Sequence, residues 1–179
     1  TQDSENNRHN VGFKIIDAIN RKFNLSKQKP KFKGLLTTGN IDGKKIYAIK
    51  PLTFMNNSGI CIRELLEYFK FDAEDVIVFH DDLDVEFGKI KAKFGGTSAG
   101  HNGVASIDKF IGKDYSRVRV GIGKPKKPIE ISDYVLQNFN EDELVGINKI
   151  SENITDSIGN LINKKLDLFS STVNNKKWV

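Results

Sequence analysis

Three histidines, His9, His80 and His101, are the side chains best suited to moving a proton near neutral pH, and each stands beside polar residues that chemistry could use. His9 lies in Arg8-His9-Asn10, just before a helical pattern. His80 opens His80-Asp81-Asp82-Leu83-Asp84, directly after the apolar run Val76–Phe79. His101 closes the small-residue stretch Gly95-Gly96-Thr97-Ser98-Ala99-Gly100 and precedes Asn102-Gly103. A neutral imidazole can take a proton from water, and a carboxylate on its other nitrogen fixes the tautomer and stabilises the imidazolium. Spacing does not tell which histidine pairs with which aspartate. Each histidine taken alone also fits a satisfied or solvent-facing side chain.

Other chemistries fit less well. Histidines and aspartates can hold a divalent ion, but no His-x-x-x-His or His-x-His spacing occurs. Ser58 and Ser98 lack a nucleophile-elbow setting. The single cysteine, Cys61, sits in an apolar stretch and reads as a small buried residue; it excludes an intramolecular disulfide and a multi-cysteine zinc site. The glycine-rich stretch matches neither a P-loop nor a dinucleotide fingerprint. It does allow close approach of a ligand or a moving loop.

The elements that would carry these residues alternate between strand and helix along all 179 residues. Val11–Phe23 puts Val11, Ile15, Ala18, Ile19 and Phe23 on one helical face. Lys33–Thr38 and Lys45–Ile49 read as strands joined by a hairpin-type turn at Asn40-Ile41-Asp42-Gly43. Asn57–Phe69 reads as a helix with Ile62, Leu65, Leu66 and Phe69 inward. Val76–Phe79, Lys89–Phe94 and Arg117–Ile122 read as strands, Asn102–Ile111 and Ile131–Leu136 as helices. Glu141–Lys165 reads as one long amphipathic helix broken near Gly159, followed by a frayed tail ending Asn174-Asn175-Lys176-Lys177-Trp178-Val179. The fold expected is α/β: a single domain over residues 1–179, with a twisted mixed β-sheet flanked by helices. In such a sheet the carboxyl ends of strands form the usual ligand crevice, and His80-Asp81-Asp82 occupies such an end.

Composition agrees with one soluble globular domain: 38% hydrophobic and 28% charged residues, net charge +5. The pI near 9.2 weakly favours a polyanionic partner. No apolar run approaches the ~20 residues needed to span a bilayer, and the N-terminal residues have no signal-peptide core, so a cytosolic location is expected.

Several strings occur together in order: Arg8-His9-Asn10-Val11-Gly12-Phe13; Pro51-Leu52-Thr53-Phe54-Met55-Asn56-Asn57-Ser58-Gly59; His80-Asp81-Asp82-Leu83-Asp84 with Gly88-Lys89; Gly95 through Gly103; Arg117-Val118-Arg119-Val120-Gly121-Ile122-Gly123-Lys124-Pro125; and Tyr134-Val135-Leu136 with Phe139 and Glu143. Over residues 8–143 this resembles the bacterial-type peptidyl-tRNA hydrolases. The resemblance implies cleavage of the ester between peptide and tRNA by activated water, with no cofactor and no metal. It implies His9 as general base and Asp81 as the carboxylate that holds it. Asn56 and Asn102 would bind the peptide backbone and the water, and Asn10 would line the same cleft. Met55 would pack against the catalytic histidine, His101 would shape the neighbouring loop, and Asp84 would hold its own loop. Lys91, Lys93 and Arg119 match basic positions near tRNA phosphates. A monomer acting on peptidyl-tRNA, away from membranes, is the expectation. The alternative is a catalytically impaired homologue serving as an RNA-binding or splicing partner.

The resemblance begins after the strand and Gly-Asn-Pro-Gly turn with which the family opens. Ser4 stands where tyrosine is usual and Asn7 where threonine is usual. The chain is therefore expected to lack that first strand or to continue from a longer one.

Overall fold

The computed structural model describes residues 6–176, the side chain of Asn56 excepted. The expectation about the family's opening strand and Ser4 falls outside these residues.

A 3-10 turn at Arg8–Asn10 leads into α1 (Val11–Lys22). Strands β1 (Lys29–Lys31), β2 (Gly34–Ile41) and β3 (Lys44–Pro51) follow. A second 3-10 turn, Met55–Asn57, opens α2 (Ser58–Phe69). Then come β4 (Ile77–Asp82), β5 (Ile90–Phe94), α3 (Asn102–Ile111) and β6 (Ser116–Gly121). Four helices complete the described chain: α4 (Ile131–Leu136), α5 (Glu141–Asp156), α6 (Ile158–Ile162) and α7 (Leu166–Asn175).

The α/β class holds, with two three-stranded sheets where one was expected. β1-β2-β3 is an antiparallel sheet of neighbours in sequence. The other has the order β4-β6-β5. Ser116 N donates to Val76 O and Ile122 N to Asp82 O, so β4 and β6 run parallel. Gly95 N donates to Tyr115 O and Gly121 N to Lys89 O, so β5 runs antiparallel to β6. Hairpin-linked strands pair among themselves, which explains the separate first sheet.

The chain forms two compact units: residues 1–18, 79–93 and 117–179 in the first, residues 19–78 and 94–116 in the second. The second unit is built on a hairpin whose turn residues, Asp42 (φ 52°) and Gly43 (φ 77°), are both left-handed. Two such residues give the tight turn whose twist matches paired strands. Leu36 of β2, Cys61, Ile62, Leu65 and Leu66 of α2, and Ile107 and Tyr115 bury together, with Phe69 packed at the border. α2 and α3 touch closely at Gly59, where a Cβ would lie 2.2 Å from Ser106 O.

In the first unit the core is Val11 and Ile15 of α1, Val118 and Val120 of β6, and Ile147, Ile150 and Ile154 of α5, all at most 1% exposed. The long helix does break near Gly159: the break falls at Ser157 (φ −111°, ψ 11°), and Gly159 lies within α6. One expectation for the C-terminal part fails. The tail is ordered through α7, because Phe169 and Val173 bury one face of that helix. Asn174 and Ser170 also bond the outer edge of β5: Ile90 N donates to Asn174 Oδ1, Asn174 Nδ2 donates to Ile90 O, and Ala92 N donates to Ser170 Oγ, each at 2.9 Å. Lys177–Val179 lie outside the described residues.

Candidate active site

In the first unit, the Arg8–Asn10 turn is capped by Asn7, whose side-chain oxygen accepts from Asn10 N at 3.0 Å. α1 then starts against the backbone of β4. A Cβ on Gly12 would lie 2.4 Å from Phe79 O, so only glycine permits this approach. That contact brings the first turn of α1 to the strand whose end carries His80, Asp81 and Asp82.

The result is a pair. His9 Nδ1 lies 3.0 Å from Asp81 Oδ1 and 2.9 Å from Oδ2. The carboxylate is buried, 4% exposed, and the imidazole 17%. An ionised carboxylate only accepts hydrogen bonds, so Nδ1 carries the proton and, in neutral imidazole, Nε2 carries the lone pair. This is the arrangement of a general base with a fixed tautomer.

The neighbouring acidic residues do other work. His80 is buried, with Nδ1 2.8 Å from Asp81 O. Asp82 is also buried and accepts from Arg119 Nε at 2.7 Å and from Asp84 N at 2.8 Å. The carboxylate holding this loop is therefore that of Asp82. Asp84 is 55% exposed and its carboxylate pairs with the exposed Lys124 at 3.5 Å, an ion pair of small worth in water. Arg119 thus has one nitrogen committed to protein. Lys91 and Lys93 alternate with buried Ala92 on β5 and are exposed on one face of the strand.

The second unit holds the remaining candidates. Met55 and Asn56 lie in the 3-10 turn before α2, where Ser58 Oγ donates to Met55 O at 2.9 Å. The side chain of Asn56 is outside the described atoms. Asn102 is the exposed first residue of α3. His101 is the N-cap of that helix: Val104 N donates to its Nδ1 at 3.2 Å. A Cβ on Gly103 would lie 2.5 Å from Met55 Sδ and 3.0 Å from His101 Cε1, so Met55 and His101 share the space that this glycine leaves.

Sequence reasoning missed the supports behind the His9 turn. Arg8 is 8% exposed and bonds Glu143, Gln137 and the backbone of Tyr134. The one local signal was the capping-box spacing Asn140-x-x-Glu143, and the box does form at the start of α5. Tyr134 stacks under the Arg8 guanidinium, and burial raises its pKa against the lowering effect of that cation.

The family model described as Peptidyl-tRNA hydrolase matches residues 1–178. A peptidyl-tRNA hydrolase of Pelagibacter ubique (strain HTCC1062) is 76% identical over 176 residues, covering 98% of this chain and 95% of that one. One of Ehrlichia canis (strain Jake) is 43% identical over 168 residues, covering 94% and 86%. Among solved structures, peptidyl-tRNA hydrolase from Acinetobacter baumannii matches with a TM-score of 0.91 at 28% identity, over 100% of this chain and 92% of that one. The chain belongs to the peptidyl-tRNA hydrolase family.

Proposed function

We propose that this chain hydrolyses the ester joining a peptide to tRNA, with His9 as general base and Asp81 as the carboxylate that orients it. The observation that carries the reading is the 2.9 Å contact between His9 Nδ1 and buried Asp81, in a chain matched by the family over nearly its whole length.

Water attacks the ester carbonyl carbon while His9 Nε2 takes its proton. The tetrahedral intermediate carries an oxyanion, which needs neutral donors in a partly dry site. On the family resemblance, Asn10, Asn56 and Asn102 would supply amides of that kind. When the intermediate collapses, the ribose oxygen leaves and regains the proton from the imidazolium, which Asp81 has stabilised. Met55 and His101 would line the peptide side. Lys91 and Lys93 would contact tRNA phosphates, with Arg119 contributing only the nitrogens that Asp82 leaves, so binding should weaken as salt rises. No metal enters these steps, so chelator treatment should leave the rate unchanged. The family match runs through both units, and the reading treats them as one functional domain.

Among the described residues no helix is long and apolar enough to cross a membrane. The proposed function places the protein beside translation, acting as a monomer in the cytoplasm.

The test is release of peptide from peptidyl-tRNA. His9→Ala should lower the rate by ~10²–10⁴, the usual worth of a general base. Equal rates would remove His9 from that role, and tRNA binding without turnover in the wild type would favour the splicing-partner alternative.

A further inference from the structure

Arg8 precedes the proposed base by one residue, and both of its terminal nitrogens are anchored. Its Nη1 donates to Tyr134 O and to Gln137 Oε1, both at 3.3 Å, and its Nη2 donates to Glu143 Oε1 at 3.2 Å. Its Cζ lies 4.2 Å from the centre of the Tyr134 ring. The backbone is anchored as well. Arg8 N donates to Gln137 O at 3.0 Å, Phe139 N donates to Asn6 O at 2.9 Å, and Asn7 and Asn138 form an antiparallel bridge. The acceptor on Glu143 is itself fixed, because the same Oε1 takes Asn140 N at 3.0 Å in the capping box of α5.

These contacts close a ring. Ile122 N donates to Asp82 O at 3.1 Å, next to Asp81. Tyr134 Oη donates to Ile122 O at 3.0 Å, and Tyr134 O accepts from Arg8. His9 and Asp81 are thus joined directly and also, from behind, through Asp82, Ile122, Tyr134 and Arg8. Small errors in placing a base are costly: a displacement of about 1 Å can cost ~10² in rate.

We infer that Arg8, braced by Glu143, is a positioning residue that sets the distance and angle between His9 and Asp81 for the reaction. This rests on His9 being the base. Arg8 touches neither water nor ester on this account, so its loss should appear in kcat and not in KM.

The experiment compares Arg8→Met, Arg8→Lys, Glu143→Gln and His9→Ala in full-length protein. It measures kcat and KM on peptidyl-tRNA well below each melting temperature, and the His9 Nδ1–H proton resonance by NMR. Arg8→Met should lower kcat by about 10- to 100-fold with KM within about twofold. Arg8→Lys should recover part of the loss, because lysine keeps the charge but not the planar fork. Glutamine also completes a capping box, so Glu143→Gln spares the helix start and should lower kcat a few-fold. The Nδ1–H resonance should broaden in each Arg8 variant.

Unchanged kcat and an unchanged resonance in the folded variants would overturn the inference, even if their melting temperatures fall. Should Arg8→Met fail to fold, Arg8→Lys and Glu143→Gln decide the matter by the same readouts. A fully active His9→Ala would instead sink the assignment of the base. An inactive His9→Ala beside a fully active Arg8→Met would sink this inference alone.

Discussion

Two histidines of this protein stand at helix starts, one in each compact unit, and their rings are held in opposite ways. His9, just before α1, offers Nδ1 to the Asp81 carboxylate. His101, just before α3, offers Nδ1 to the backbone N–H of Val104. The first partner only accepts, so Nδ1 of His9 must carry the proton and Nε2 is left basic. The second only donates, so Nδ1 of His101 must be bare and, in the neutral ring, Nε2 carries the proton. One ring is set up to take a proton at its outer nitrogen and the other to give a hydrogen bond there. A histidine's usefulness as a base is thus decided by what its inner nitrogen meets, and neighbouring sequence alone does not reveal it.

The contrast can be broken most severely at Asp81. Asp81→Asn removes the charge that stabilises the imidazolium, and an amide can turn either face toward Nδ1, so the tautomer is no longer enforced. The rate of peptide release should fall by about 10², the lower end of what a general base contributes. A rate within a few-fold of wild type would mean that the carboxylate does not control the ring. A smaller effect is expected at the other histidine. His101→Ala should lower stability by about 1 kcal/mol, as loss of an N-cap does, and His101→Asn, a good cap, should restore it in thermal melts. If alanine and asparagine melt alike, capping is not what His101 does.

The smallest effect is expected at Cys61, the buried thiol of the second unit. Burial, with a further push from Glu64 against Lys33, raises its pKa from 9.0 to about 12. A thiol-specific alkylating reagent at pH 8 should label it only as fast as the protein unfolds. Between pH 9 and 12 the unfolded chain gives up this proton first, so the native state holds more protons and stability falls as pH rises. Cys61→Ala should flatten that part of the stability profile.

Much of this architecture was legible in the sequence where local pattern and burial agree. The helices at Asn102–Ile111 and Ile131–Leu136 match expectation residue for residue. The hairpin around Asp42-Gly43 is where the turn chemistry put it. β1 was missed because Lys29, Pro30 and Lys31 are all exposed and carry no apolar alternation. α7 was read as tail, although Phe169 and Val173 are one helical turn apart on a buried face. For the site, His9 and Asp81 are separated by 72 positions, and no periodic rule links them; the family resemblance did. Arg8 and Glu143 lie 135 positions apart, and a charged residue beside a histidine gives no sign of being buried. Long-range polar pairs of this kind are set by tertiary packing, which one-dimensional pattern does not carry.

The seal that α7 places on β5 has a consequence for how this protein behaves at high concentration. Ser170 and Asn174 are four residues apart, a rise of about 6 Å along a helix. That nearly matches the two-residue repeat of a strand, about 6.8 Å. Their amide and hydroxyl groups therefore stand in for the missing neighbour strand at Ile90 and Ala92. A foreign segment seeking to extend the sheet finds those sites occupied by side chains that cannot template a further strand. Self-association through that border should stay suppressed for as long as the last helix remains docked.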